Sequence, residues 1–127
     1  MYNKKESRED YLESILEAQK ELGSIRAVDL AKFMGFSKTS VSIALKKLKE
    51  TGHVLIDPKS GTIALTGIGL AIAEKTLERH KLLTKTFIYL GVDPKVAEEN
   101  ACKVEHLLSE ETYEAIKHYF LEKSDFN

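Results

Sequence analysis

The feature that most constrains this chain is the order of its helix caps, glycines and turn formers between residues 7 and 66. Tyr11, Leu12, Ile15, Leu16 and Leu22 recur on one helical stripe. With Ser7 and Asp10 at its start and Gly23 at its end, the spacing predicts a helix over about 8–22. A short helical run follows from Val28 to Met34, and Gly35 ends it. Ser37 then caps a third helix, with Val41, Ala44, Leu45 and Leu48 turned inward. Two helices joined by a short glycine-containing turn form a helix-turn-helix. Beyond Gly52, the β-type runs 53–56 and 62–65 flank Asp57-Pro58-Lys59-Ser60-Gly61. This is a hairpin placed where a wing belongs.

The rest of the chain reads as helical. Thr66 caps a helix predicted to run to Leu90 before Gly91, about 24 residues or roughly 36 Å. Asp93 with Pro94 at the first helical position starts a fifth helix ending near Leu108. Ser109, followed by Glu110 and Glu111, starts a sixth with Tyr113, Ile116, Tyr119 and Phe120 on its apolar stripe. The tail 123–127 is expected to fray. The fold class is therefore mainly α, with an N-terminal winged helix-turn-helix over 1–66 and a helical domain over 67–127.

A length of 127 residues allows one domain or two small lobes. The formal net charge is only -1, so distribution carries the information. Lys38, Lys46, Lys47 and Lys49 crowd the third helix, whereas Glu98, Glu99, Glu105, Glu110, Glu111 and Glu114 crowd the C-terminal part. A basic lobe is joined to an acidic one. The single Cys102 excludes an internal disulfide, and the start Met-Tyr-Asn-Lys-Lys-Glu has no apolar run. A reduced, cytoplasmic protein is expected, with no membrane partner.

A helix that reads base edges needs short polar side chains near its N-terminus and cations to hold phosphates. Ser37, Lys38, Thr39, Ser40 and Ser42 fill that part of the third helix, Lys46 and Lys47 follow, and Lys59 tips the wing. Double-stranded DNA is the expected partner. Solvation of an exposed helix is the alternative for any single residue, as is a winged helix that docks protein. Ser and Thr pair with several bases, so the sequence read is left open.

On a helix, Cys102-Lys103-Val104-Glu105-His106 places a thiol, a carboxylate and an imidazole on one face. Taken with Asp10 and Glu13 on the first helix and His80 on the fourth, the segment suggests a metal site. Each residue also has an ordinary explanation. Asp10 suits the first turn of its helix, Glu13 suits a surface ion pair, His80 suits a polar face, and a lone cysteine is usually a small buried hydrophobe.

The chain resembles the diphtheria-toxin-repressor family of metal-dependent transcriptional repressors, most of all its short manganese-transport-regulator branch. The resemblance rests on Glu9-Asp10-Tyr11-Leu12-Glu13-Ser14-Ile15, Thr39-Ser40-Val41-Ser42, Leu65-Thr66-Gly67-Ile68-Gly69, Arg79-His80 with Leu82-Leu83, Leu90-Gly91-Val92, and Cys102 to Ser109. It covers essentially the whole chain. The resemblance implies that Asp10, Glu13, His80, Cys102, Glu105 and His106 are ligands of a divalent transition metal, Mn(II) or Fe(II), with Co(II) or Zn(II) as other candidates. It also implies that 67–127 binds metal and forms a homodimer, so that two reading helices meet a palindromic operator near metal-uptake genes.

The donor set is mixed. Cys102 matches the iron-responsive branch and Asp10 the manganese branch, so a soft thiolate competes with hard carboxylates. Thr84 stands where the family often has an acidic ligand, which weighs against a second metal unless Glu98 or Glu99 contributes. The apolar residues Val96, Val104, Leu107, Leu108, Tyr113, Ile116, Tyr119, Phe120 and Leu121 exceed what one small core needs, in keeping with a dimer face. Two other functions fit parts of the pattern: a winged-helix regulator answering to an organic ligand or to oxidation of Cys102, and a metallohydrolase built on the cluster. The second lacks a nucleophile motif and a cleft-forming α/β pattern, so the chain is expected not to be an enzyme.

Overall fold

The computed structural model describes residues 7–123, which form helices α1 (Arg8–Leu22), α2 (Ala27–Met34) and α3 (Lys38–Glu50), strands β1 (Val54–Ile56) and β2 (Ile63–Leu65), and helices α4 (Gly67–Tyr89), α5 (Pro94–Val104) and α6 (Glu110–Leu121). The caps are those the sequence announces. Ser7 accepts from the Asp10 N–H, Ser37 from the Ser40 N–H and Ser109 from the Thr112 N–H, each at 3.1 Å. Asp93 accepts from Lys95 and Val96 ahead of Pro94. Such bonds satisfy N–H groups that a helix start leaves without partners. The expected fraying of the tail falls, past Lys123, outside the described residues.

The chain divides into two compact units, one ending at Thr76 and the other beginning at Leu77. In the first, Leu12, Ile15, Ile25, Leu30, Val41, Val54 and Ile63 are fully buried and form the core beneath the helix-turn-helix. Gly35 takes the left-handed conformation at φ 73, and its N–H bonds to Ala31, closing α2 where the turn to α3 begins. The wing is an antiparallel pair with Val54 opposite Leu65 and Ile56 opposite Ile63.

At its tip Asp57 accepts from the N–H groups of Lys59 (2.7 Å) and Ser60 (3.1 Å). Those two bonds hold the Asp57 carboxyl below the ordinary carboxylate range. The wing is tied back by Ile63 N–H to the Ile25 carbonyl (2.9 Å) and by the Gln19 amide to the Ile63 carbonyl (3.0 Å). Thr66 donates to the Gly52 carbonyl and caps Gly69 at the start of α4. Gly69 is required there, because a Cβ at this position would lie 2.0 Å from the His53 carbonyl oxygen.

In the second unit Leu82, Leu83, Ala97, Ala101, Cys102 and Tyr113 are buried, and Phe120 packs against Leu82 and Tyr113. The apolar excess is real: Val96, Leu107, Tyr119 and Leu121 stay exposed, Leu107 at 80%. Helix α5 ends at Val104, earlier than the spacing predicts. Past that point the chain tightens into a turn with Leu107 N–H on the Val104 carbonyl, and Ser109 then takes extended backbone to cap α6.

Candidate metal centre and nucleic-acid interface

The second unit gathers four of the expected ligands. Glu105 follows α5 as its C-cap and keeps helical backbone, with its N–H on the Ala101 carbonyl at 3.0 Å. Its one-turn relation to Cys102 therefore survives the early end of the helix, and His106 is carried on the turn. One carboxylate oxygen of Glu105 lies 3.2 Å from His80 Nδ1, and the other lies 3.4 Å from His106 Nε2. Glu105 and Cys102 are buried, Glu105 to 2% exposure.

Donor atoms of His80, Cys102 and Glu105 all lie within 4.8 Å of one another. Two ligands that each sit about 2.0–2.3 Å from one ion are at most about 4.6 Å apart, so the three donors lie close to the reach of one cation. The donor chemistry also fits, since nitrogen, sulfur and carboxylate oxygen together bind first-row divalent ions.

A scaffold absent from the expected residues holds this arrangement. Arg79, next to His80, donates to the Leu108 carbonyl at 2.8 Å and lies over the Tyr113 ring at 4.8 Å. This pins the turn bearing Glu105 and His106 to α4. Beside it, Lys117 Nζ is 2.6 Å from Glu78, and the Tyr113 hydroxyl donates to the same oxygen at 3.3 Å. Lys117 holds Glu78 below its ordinary range, whereas burial and then the Glu78 charge push the Tyr113 phenol up. The Thr84 hydroxyl donates to the His80 carbonyl at 2.8 Å. Among the described residues, the groupings able to hold a metal do not include Glu98 or Glu99.

Asp10 and Glu13 belong to the first unit, one turn apart on α1. Their exposures are 1% and 0%. Neither is a surface carboxylate, and Glu13 is not the solvent-facing partner of a surface lysine. Burying carboxylates this deeply is costly unless hydrogen bonds or positive charge offset it.

The expected DNA-reading residues lie on α3 and on the wing of the first unit. Ser37, Lys38, Thr39, Ser42, Lys46, Lys47 and Lys59 are exposed, and Ser40 is half-buried. The Ser37 hydroxyl donates to Ser40 while accepting its N–H, so its first role is to hold the start of α3. A cavity of about 340 Å³ lined by Arg26, Ala27, Val28, Lys38, Ser42, Ile56 and Gly61 adds Arg26, which the sequence reading missed. A cation immediately before a helix start was the available signal. No helix among the described residues is long and apolar enough to cross a membrane.

Comparison with known proteins identifies the two halves of the chain. Residues 5–62 match the model of the iron-dependent repressor N-terminal DNA-binding domain, and residues 66–124 match the metal-binding and dimerisation domain of the same repressors. The chain is 42% identical to an uncharacterised HTH-type transcriptional regulator of Methanocaldococcus jannaschii, over 93% of this chain and 94% of that protein. It is 35% identical to the transcriptional regulator MntR of Escherichia coli O6:H1, over 91% and 74% of the two chains. Among solved structures it resembles the manganese regulator SloR, with a TM-score of 0.78 and 28% identity over 94% of this chain. It spans 54% of the length of that structure. With both domain types in order and relatives matched over most of their length, the chain belongs to the iron-dependent repressor family, whose members are metal-dependent, DNA-binding transcriptional regulators rather than enzymes.

Proposed function

We propose that this chain is a repressor of metal-uptake genes that binds a palindromic operator as a homodimer when loaded with Mn(II) or Fe(II), acting in the cytoplasm. The observation that carries this reading is the cluster of half-buried His80 with buried Cys102 and Glu105, in a chain that also presents a cationic recognition helix. In this reading residues 1–66 read DNA, and 67–127 bind metal and dimerise. His80, Cys102, Glu105 and His106 are ligands. Asp10 and Glu13 are further ligands, a role supported by their burial and by the family resemblance of the helix that bears them. The metal supplies positive charge that gathers anionic and imidazole donors otherwise costly to hold together.

Ser37 orients the start of α3. Lys38, Lys46, Lys47 and Lys59 neutralise phosphates, and Thr39, Ser40 and Ser42 face base edges. Exposed Val96, Leu107, Tyr119 and Leu121 supply apolar surface for the dimer.

The test is anaerobic fluorescence anisotropy of a labelled fragment of the gene's own promoter, in chelator and then with buffered Mn(II), Fe(II), Co(II) or Zn(II). Binding is expected only with metal, and His80→Ala, Glu105→Ala and Asp10→Asn are expected to lose it while keeping the fold. Binding indifferent to every metal, or normal metal response in all three variants, would overturn the reading.

A further inference from the structure

Val41, Leu45 and Leu48 are buried and fix the core-facing side of α3. At about 100° per residue, the middle of the opposite side falls at position 43. An isoleucine stands there, 65% exposed. Thr39 lies one turn before it and Lys46 and Lys47 one turn after, all exposed. Single exposed hydrophobic residues are common. What sets Ile43 apart is its place, at the centre of an otherwise polar and cationic face within the first two turns of the helix that a helix-turn-helix directs into the major groove. Solvent contact gives no reason for it, and for a helix alone a lysine or glutamine is the better former.

In a helix the χ1 angle of isoleucine is held almost entirely in one rotamer, so Ile43 presents a rigid apolar knob. The apolar feature that a base pair displays in the major groove is the thymine C5-methyl group. We infer that Ile43 reads a thymine methyl in each half-site, supplying discrimination that the hydroxyls of Thr39 and Ser42 do not. The inference rests on the DNA-reading function proposed above.

The test begins by enriching random duplexes on the full, metal-loaded chain. Each thymine of the enriched duplex is then replaced in turn by deoxyuridine, which removes only the methyl. At one thymine per half-site, the wild type is expected to weaken about fourfold, as for loss of one buried methylene-sized group. Ile43→Ala should bind the thymine and deoxyuridine duplexes equally, and Ile43→Asn should enrich a different base at that position. Thermal melting checks that these surface variants fold. Wild-type binding unaffected by deoxyuridine at every thymine, or sensitivity retained in Ile43→Ala, would overturn the inference while leaving DNA reading intact. Enrichment of no sequence by the wild type would instead defeat the DNA-reading function, and the role of Ile43 with it.

Discussion

Glu105→Gln isolates the metal function from the fold. Glu105 is 2% exposed and places one carboxylate oxygen against each of two imidazoles, at 3.2 and 3.4 Å. Gln keeps the shape and still offers hydrogen bonds, but it removes the anionic donor. A metal that binds only the folded chain stabilises it by about 2.7 kcal/mol when its free concentration is about 100 times Kd. Loss of a group that merely orients a ligand costs up to about 100-fold in affinity, and loss of the ligand itself should cost at least as much.

At the same free metal the variant then sits near its own Kd, and stabilisation falls to about 0.4 kcal/mol. The difference of about 2.3 kcal/mol, at roughly 3–5 °C per kcal/mol for a chain of this size, is about 7–12 °C in Tm. Scanning calorimetry under anaerobic conditions, with chelator and then with buffered metal, measures it directly. The wild type should gain Tm with metal and the variant should gain almost none, while their melting in chelator stays within a few degrees. An equal metal-induced rise in both proteins would refute Glu105 as a ligand.

Three further outcomes are expected. Gly69→Ala puts a Cβ 2.0 Å from the His53 carbonyl oxygen; overpacking of about 1–3 kcal/mol should outweigh the roughly 1 kcal/mol that alanine gains in helix propensity, and a Tm at or above wild type would contradict the close approach. Cys102→Glu replaces a soft donor by a hard one and should move the metal ranking in the anisotropy assay toward Mn(II), whereas an unchanged ranking would place Cys102 outside the ligand set. Tyr113 is held protonated by burial and by Glu78 above the ordinary phenol value of about 10. Its contribution to stability is therefore full below about pH 10 and declines as pH rises beyond that, where the unfolded chain ionises first. Denaturant melts across this range should show a shallower alkaline decline in Tyr113→Phe than in wild type, and identical slopes would remove Tyr113 from the explanation.

Local chemistry made much of the fold legible. Ser7, Ser37, Ser109 and Asp93 with Pro94 mark helix starts by hydrogen bonds that depend on only a few neighbouring residues, and each forms as read. The end of α5 was less legible, because nothing in Cys102–Leu108 breaks a helix. The chain nonetheless leaves α5 after Val104 for a turn, before Ser109 takes the extended backbone that caps α6. Gly69 carries no local signal of its necessity, since its reason is the His53 carbonyl sixteen residues earlier.

The site divides along the same line. Spacing of three residues between Cys102 and Glu105 is local, and the structure preserves it even where the helix has ended. The approach of His80 Nδ1 to Glu105 is a tertiary fact, and so is the Arg79 bond to the Leu108 carbonyl that holds the turn against α4. Hydrophobic patterning hides such residues because it assigns charged side chains to the surface by default. Asp10 and Glu13 show the cost of that default: the pattern put them on the polar side of α1, yet both are buried. Ile43 shows the converse, an apolar residue that helical spacing places opposite the core-facing side of α3 and that stands exposed there. Burying a carboxylate costs stability unless hydrogen bonds or positive charge meet it, and the metal proposed above would supply such charge at Asp10 and Glu13, as the operator would supply an apolar contact at Ile43.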